Sequence, residues 1–129
     1  MSMRFIDQRH FDGDPVPGDC VRACIATILG LELDDVPHFV QLYDCEWAAE
    51  MQEWCEARGV VAEWRSGWHP TKEPAMLSGP SPRTGRHAVV MQHGEIIHDP
   101  HPSRLGLVTS RNGLQPGTPF YFITWIFRK

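Results

Sequence analysis

The first hydrophobic pattern along the chain has the spacing of a helix. Its apolar positions recur every three or four residues and share one face: Val21, Cys24, Ile25, Ile28 and Leu29. Asp19 stands where a capping residue would begin this helix, and Gly30 stands where a left-handed residue would end it. The pattern therefore predicts a buried helix of about three turns.

A second helical pattern covers residues 44–58, and Gly59 follows its last turn. Asp44 is predicted to cap this helix, and the apolar face consists of Trp47, Met51, Trp54 and Cys55. The segment between the two helices, 31–36, is predicted to be a loop with one short turn that ends at Pro37.

After Gly59 the pattern changes from helical to extended. Val60, Val61 and Trp64 indicate a strand, whereas residues 66–86 are dominated by Gly, Pro, Ser and Arg. That stretch is predicted to be irregular. Because long loops in small domains usually carry function or move, it is a candidate flap or specificity loop.

The C-terminal half ends in extended segments. Residues 87–92 and 95–98 are short apolar runs separated by His93-Gly94, which is the pattern of a hairpin with a two-residue turn. Residues 120–127 form an aromatic and β-branched run that predicts a closing strand. Helices followed by an antiparallel sheet define the α+β class.

Composition narrows the class of protein. A chain of 129 residues has the size of one domain, so we expect residues 1–129 to form a single unit. With 12 Lys and Arg against 16 Asp and Glu, the net charge of -4 argues against nucleic-acid binding and favours a basic or neutral substrate segment. No apolar run has the length of a membrane span or a secretory signal, so we expect a cytoplasmic protein that does not bind membranes.

The four cysteines are predicted to be free thiols that differ in environment. Cys20 is the first residue of the predicted first helix, where backbone N–H groups and the helix dipole stabilise a thiolate and a developing oxyanion. Most cysteines beside an apolar helix face are core residues, and Cys24 fits that interpretation better. Cys20 is therefore the candidate nucleophile.

A cysteine nucleophile needs a base, and the base needs an orienting acceptor. Antiparallel pairing about the His93-Gly94 turn brings His87, at the start of one strand, beside Asp99, after the end of the next. We expect a hydrogen bond between the Nδ1 atom of His87 and the Asp99 carboxylate. The alternative is structural, because a strand-edge His and an Asp before Pro are common surface and turn residues.

The other histidines carry weaker hypotheses. His98 and His101 flank Asp99 and could ligate a metal with it, but no second spaced pair of ligands occurs in the chain, and no metal is expected. His93 is explained by the turn, and three histidines have no evident partners: His10, His38 and His69.

Two segments resemble a known family. PGDCVRACIATILG and GRHAVVMQHGEIIHDPHP look like the papain-like cysteine peptidase superfamily, in its compact microbial branch near the bacteriocin leader peptidases. The segments PGDCVRACIATILGLELDDVP and HAVVMQHGEIIHDPHPSRLGL also look like small uncharacterised proteins of bacteriophages and bacteria. The resemblance covers about half of the chain and implies a papain-like fold, with Cys20 as nucleophile, His87 as base and acid, and Asp99 as the residue that holds the imidazole. It implies no cofactor.

The resemblance also points to Gln8. The family uses a glutamine upstream of the cysteine as an oxyanion donor, and Gln8 is the only upstream glutamine. It lies farther from Cys20 than in the leader peptidases, where the usual position is occupied here by Asp14. If Gln8 points elsewhere, the backbone N–H of Cys20 must stabilise more of the oxyanion.

Three functions are compatible with the sequence. The first is a thiol hydrolase that cleaves a peptide or isopeptide bond in a peptide or protein substrate, through an acyl-enzyme at Cys20. The second is a catalytically idle binding module of a phage or bacterium, which would contact its partner through residues 66–86, Trp64 and Trp68. The third is a deamidase or acyltransferase with the same triad. The intact set of Cys, His and Asp favours chemistry.

Overall fold

The structure is a computed structural model and describes residues 3–11, 14–67, 71–83, 85–108 and 122–128. Its helices all precede its strands: α1 (Cys20–Leu29), α2 (Phe39–Tyr43) and α3 (Trp47–Ala57), with single 3₁₀ turns at Leu33–Asp35 and Asp44–Glu46. Gly30 ends α1 in the left-handed conformation, with φ of 71°, as the sequence predicts.

One five-stranded sheet follows the helices. Its strands are β1 (Val60–Ser66), β2 (Ala75–Pro80), β3 (Arg86–Gln92), β4 (Glu95–His98) and β5 (Phe122–Arg128). The spatial order is β1-β5-β2-β3-β4, and all neighbouring strands are antiparallel. The predicted α+β class is confirmed. The predicted hairpin is present as β3 and β4, whereas Phe120 lies outside the described residues.

The second predicted helix begins later than expected. Asp44 makes no cap for α3; it starts a 3₁₀ turn with a left-handed φ of 49°, and α3 begins at Trp47. The sequence also missed α2, which has only five residues and is too short for a helical period to be recognised.

The prediction that residues 66–86 are irregular is wrong for β2. This strand pairs with β3 on one side and β5 on the other, so it lies inside the sheet. Its Gly79 and Pro80 resemble loop residues, but Pro80 is the last residue of the strand, where a missing N–H is tolerated. Trp68 and His69 lie outside the described residues.

Both faces of the central strands are covered. Met76, Ala88 and Val90 belong to the main core with the helices, whereas alternate residues of the same strands pack on the opposite face with Leu107. Burial on two sides explains why β3 contains an uninterrupted apolar run. Helix α1 packs against β3, so the start of the helix and the start of the strand lie close together. Within the described ranges, no helix is both long and apolar enough to cross a membrane.

Candidate active site

The segment before α1 is held in place by Asp19, which is fully buried. Its Oδ1 atom accepts hydrogen bonds from the backbone N–H groups of Arg9 (2.9 Å) and His10 (2.8 Å). The predicted side-chain cap by Asp19 is therefore absent: the carboxylate holds the N-terminal arm instead. The first-turn N–H groups of α1, beside Cys20, receive no cap from this side chain.

A second anchor of the arm is His38, for which the sequence suggested no partner. The Nε2 atom of His38 donates a 2.7 Å hydrogen bond to the carbonyl of Pro17, and its ring stacks on that of His10 at 6.2 Å. His38 is buried. Asp19 and His38 therefore hold the segment before Cys20 at two places, at residues 9–10 and at Pro17.

His87 and Asp99 meet across the end of the β3–β4 hairpin. Both are buried, and Nε2 of His87 lies 2.6 Å from Oδ1 of Asp99. The contact predicted between these side chains is present, but the nitrogen is Nε2 and not the predicted Nδ1. Left-handed residues at His93 and Gly94 form the turn, and an irregularity at Val90 shifts the register there.

Asp99 is surrounded by hydrogen-bond donors that the sequence analysis did not find. Its Oδ1 accepts from the N–H of His101 (2.9 Å) and its Oδ2 from the N–H of Gly106 (2.7 Å), while Arg104 bonds to its backbone carbonyl and to Asp7. The one residue in the sequence that could have indicated these donors is Gly106, in the loop after Asp99-Pro100. Its φ of 72° is a left-handed conformation that favours glycine.

These donors decide the charge of the carboxyl group. Burial raises the pKa of Asp99, but the hydrogen bonds from His87 and from the two backbone N–H groups outweigh it and lower the pKa to about 2. Asp99 is thus ionised at neutral pH and can only accept hydrogen bonds. Nε2 of His87 must carry the proton between them, which leaves Nδ1 as the basic nitrogen.

The pKa of His87 is also displaced. Burial lowers it, but the hydrogen bond to Asp99 and the adjacent Cys20 raise it to about 9. An imidazolium stabilised by a carboxylate on one side and by a thiolate on the other accounts for this direction.

Cys20 and His87 both line two cavities. The first, the polar cavity, has a volume of about 120 Å³ and is also lined by Gln8, Phe11, Gly18, Arg83, Arg86 and His101. The second, the apolar cavity, has a volume of about 240 Å³ and includes Pro17, Val21, Val40, Trp47 and Ala88. Cys20 is partly exposed, so its thiol is reachable from solvent. The structure thus brings together Gln8, Cys20 and His87, with Asp99 bonded to the histidine.

Gln8 reaches the polar cavity despite its distance from Cys20 in sequence. It is buried, its Nε2 donates to the carbonyl of His10 (2.8 Å), and its backbone N–H donates to the carbonyl of Pro100 (3.1 Å). An amide nitrogen carries two N–H groups, and the bond to His10 uses one of them. Its Oε1 atom has no hydrogen-bond partner in the described part of the chain.

The remaining thiols have different environments. Cys24 and Cys55 are buried, and desolvation raises the pKa of Cys24 well above its ordinary value and that of Cys55 to about 11. Cys45 is exposed. All four cysteines are free. Among them, only Cys20 combines partial exposure with an adjacent histidine.

The residues considered for a metal site serve other contacts. Nε2 of His98 donates to the carbonyl of Ile6 (2.8 Å), and Nδ1 of His101 accepts from the N–H of Ser103 (3.0 Å). No group of three or more His, Cys, Asp and Glu side chains in the described ranges is arranged to hold a metal ion.

In comparisons with known proteins, no family model, no curated protein and no solved structure matches this chain.

Proposed function

We propose that the protein is a thiol hydrolase that cleaves an amide bond with Cys20 as nucleophile, His87 as base and acid, and Asp99 as the residue that orients His87. The observation that carries this proposal is the buried hydrogen bond between Nε2 of His87 and Asp99, at 2.6 Å, beside a partly exposed thiol at the first residue of α1. A nucleophile, a base and an orienting acceptor in this order form the arrangement that activates a thiol.

Acylation follows from the positions of the protons. Asp99 holds the Nε2 proton, and because the pKa of His87 is raised to about 9, its Nδ1 already carries the proton taken from the Cys20 thiol at neutral pH. The sulfur then attacks the carbonyl carbon, and the carbonyl oxygen becomes an oxyanion. The backbone N–H of Cys20 and the remaining amide N–H of Gln8 are the donors proposed for this oxyanion. Nδ1 returns its proton to the leaving amine, the C–N bond breaks, and a thioester remains on Cys20.

Deacylation uses the same residues. Nδ1 of His87 removes a proton from water, the hydroxide attacks the thioester, and the thiolate leaves as the carboxylic acid is released. Deamidation follows the same route with ammonia as the leaving group. Acyl transfer replaces water with another amine. A role in binding alone is less well supported, because the buried His87–Asp99 hydrogen bond lies beside a partly exposed thiol.

The resemblance of the two motifs and the packing of a cysteine-bearing helix on a strand that carries the histidine support a papain-like arrangement. The substrate class we propose is a peptide or isopeptide bond in a peptide or protein. Four free thiols support a reducing compartment such as the cytoplasm, or the host cytoplasm for a phage-encoded chain.

The test is a peptide library incubated with the wild-type chain and with Cys20→Ala, followed by mass spectrometry. We expect cleaved or deamidated peptides with the wild type, and an acyl adduct on the Cys20 peptide after rapid quenching. The variant should leave the library unchanged. Equal products from both proteins, or an adduct on Cys45 alone, would refute the proposal.

A further inference from the structure

The polar cavity is cationic, although the chain as a whole is acidic. Two arginines, Arg83 and Arg86, share its lining with His87 and His101, whereas no carboxylate lines it in the part of the chain that the structure describes. Asp99 is not part of this lining, and its carboxylate accepts hydrogen bonds from His87, His101 and Gly106. The net charge of -4 therefore resides elsewhere on the molecule. It does not describe the field at Cys20.

Arg83 is held at the cavity by a neighbouring loop. Its Nη1 donates a 2.9 Å hydrogen bond to Oγ of Ser103, and the backbone N–H of Ser103 donates to Nδ1 of His101. A guanidinium has five N–H donors, so the bond to Ser103 leaves donors that a planar carboxylate can use in pairs. The loop that supports Asp99 thus also positions Arg83.

Arg86 lies directly before the catalytic histidine candidate. It is the first residue of β3, it is exposed, and it lines both cavities. The strand that fixes His87 also fixes the backbone of Arg86 through pairing with Pro80. Its charge is consequently carried by a rigid element next to the reacting thiol.

The apolar cavity beside Cys20 has a different lining. It presents Val21, Val40, Trp47 and Ala88, and among the described residues Arg86 is its one charged side chain besides His87. A substrate at Cys20 meets both arginines in the polar cavity, but only Arg86, among mainly apolar side chains, in the apolar cavity. A carboxylate is therefore favoured in the polar cavity.

We propose that Arg83 and Arg86 bind a carboxylate of the substrate on the polar-cavity side of the reacting carbonyl, so that the substrate is an amide with an acidic neighbour. This inference rests on the proposed thiol chemistry, and it replaces the expectation that the acidic net charge selects a basic or neutral segment. Cations that line the same cavity as the thiol outweigh distant exposed charges, which salt screens.

The test compares iodoacetate with iodoacetamide as probes of Cys20. Both transfer a two-carbon group: the sulfur displaces iodide and a thioether forms, but only iodoacetate brings a carboxylate. The ratio of the two rate constants is measured at Cys20 and divided by the same ratio at the exposed Cys45. His87 also attracts the anion, so the decisive quantity is the change of this ratio on substitution of the arginines.

Arg83→Gln and Arg86→Gln are each expected to lower the normalised ratio about three- to tenfold, and together more. Arg4→Gln removes an equal charge from an exposed position paired with Glu32, and should leave the ratio unaltered. If neither Arg83→Gln nor Arg86→Gln changes the ratio, the inference of a carboxylate site is overturned, whereas the proposed thiol chemistry is unaffected. A Cys20 that fails to react with iodoacetamide counts against the proposed function.

A binding measurement distinguishes a failure of carboxylate recognition from a failure of the proposed thiol chemistry. Succinate and inorganic phosphate are titrated into Cys20→Ala while the backbone NMR signals of His87 and His101, which line the same cavity, are followed. Saturable shifts with succinate that vanish in the double variant support carboxylate recognition, whatever the thiol does. Shifts with phosphate alone, or with neither anion, overturn it.

Discussion

Nε2 of His87 and Oδ1 of Asp99 lie 2.6 Å apart, across two strands joined by a two-residue turn. The carboxylate accepts two further hydrogen bonds, from the backbone N–H groups of His101 and Gly106 in the loop that follows. The loop thereby fixes the carboxylate, and the carboxylate fixes which nitrogen of His87 is basic. In the proposed mechanism, the reactivity of Cys20 depends on this chain of contacts.

Asp99→Asn tests the orienting role directly. The amide keeps the shape of the carboxylate but removes its charge and can turn an N–H toward His87, which places the histidine proton on the wrong nitrogen. We expect the rate of substrate cleavage to fall by about 10²- to 10⁴-fold while the fold is retained. Steady-state kinetics with circular dichroism as the fold control measure this. Wild-type kcat/KM in the variant would show that Asp99 is structural.

Acid should destabilise the chain through the same carboxyl group. The folded pKa of Asp99, about 2, lies below the ordinary value of 3.8, so its ionised form contributes stability above about pH 4. This contribution is lost as the pH falls toward 2. Urea unfolding of the wild type and Asp99→Asn is expected to show a difference in free energy that shrinks between pH 5 and pH 2. A constant difference across this range would argue against the depressed pKa.

Gly106→Ala perturbs Asp99 without touching it. A Cβ at this left-handed residue would lie 3.4 Å from Cδ1 of Ile96 and would strain the backbone whose N–H bonds to Asp99. Gly59→Ala is the matched control, because Gly59 has nearly the same φ, 73°, with nothing within 4 Å. Both variants should lose about 1–2 kcal/mol of stability from backbone strain.

Only the first of these variants is expected to slow the reaction of Cys20. Gly106→Ala should reduce the iodoacetamide rate severalfold, whereas Gly59→Ala should leave it at the wild-type level. Equal rates in the two variants would mean that the loop does not support the triad.

Asp19 offers a separate test of the arm before α1. Asp19→Ala removes the acceptor of two backbone N–H groups in a buried position, and should cost about 1–3 kcal/mol of unfolding free energy. Asp19→Asn retains an oxygen that can accept and should cost less. Urea denaturation of both proteins checks the order. A smaller loss for the alanine variant would contradict the anchoring role.

The elements that could be predicted from sequence are those set by local patterns. Helix α1 follows from its apolar period and Gly30, and the meeting of His87 with Asp99 follows from a short hairpin. The sequence does not reveal β2, because its position between β3 and β5 depends on tertiary pairing, which overrides the appearance of a loop.

The N-terminal arm before α1 was also predicted less well, because its position depends on tertiary contacts. Asp19 looks like a cap in sequence, but the backbone of Arg9 and His10 competes for its carboxylate once the arm folds over α1. The entry of Gln8 into the polar cavity likewise depends on contacts with His10 and Pro100. Such nonlocal hydrogen bonds leave no periodic signal in the chain.

The most direct measurement of the central claim is the rate of iodoacetamide labelling at each cysteine near pH 6, read by mass spectrometry. Most thiols are protonated at that pH, so fast labelling reports a thiolate stabilised by His87. We expect Cys20 to react about tenfold or more faster than the exposed Cys45, with Cys24 and Cys55 protected by burial.

The histidine variants complete this measurement. His87→Ala should bring the Cys20 rate down to that of Cys45, while His93→Asn, which replaces an exposed turn histidine by a residue that tolerates its left-handed φ of 55°, should not change it. Equal, slow labelling of all four cysteines, or a Cys20 rate that does not respond to His87→Ala, would contradict the proposal that this site activates a thiol.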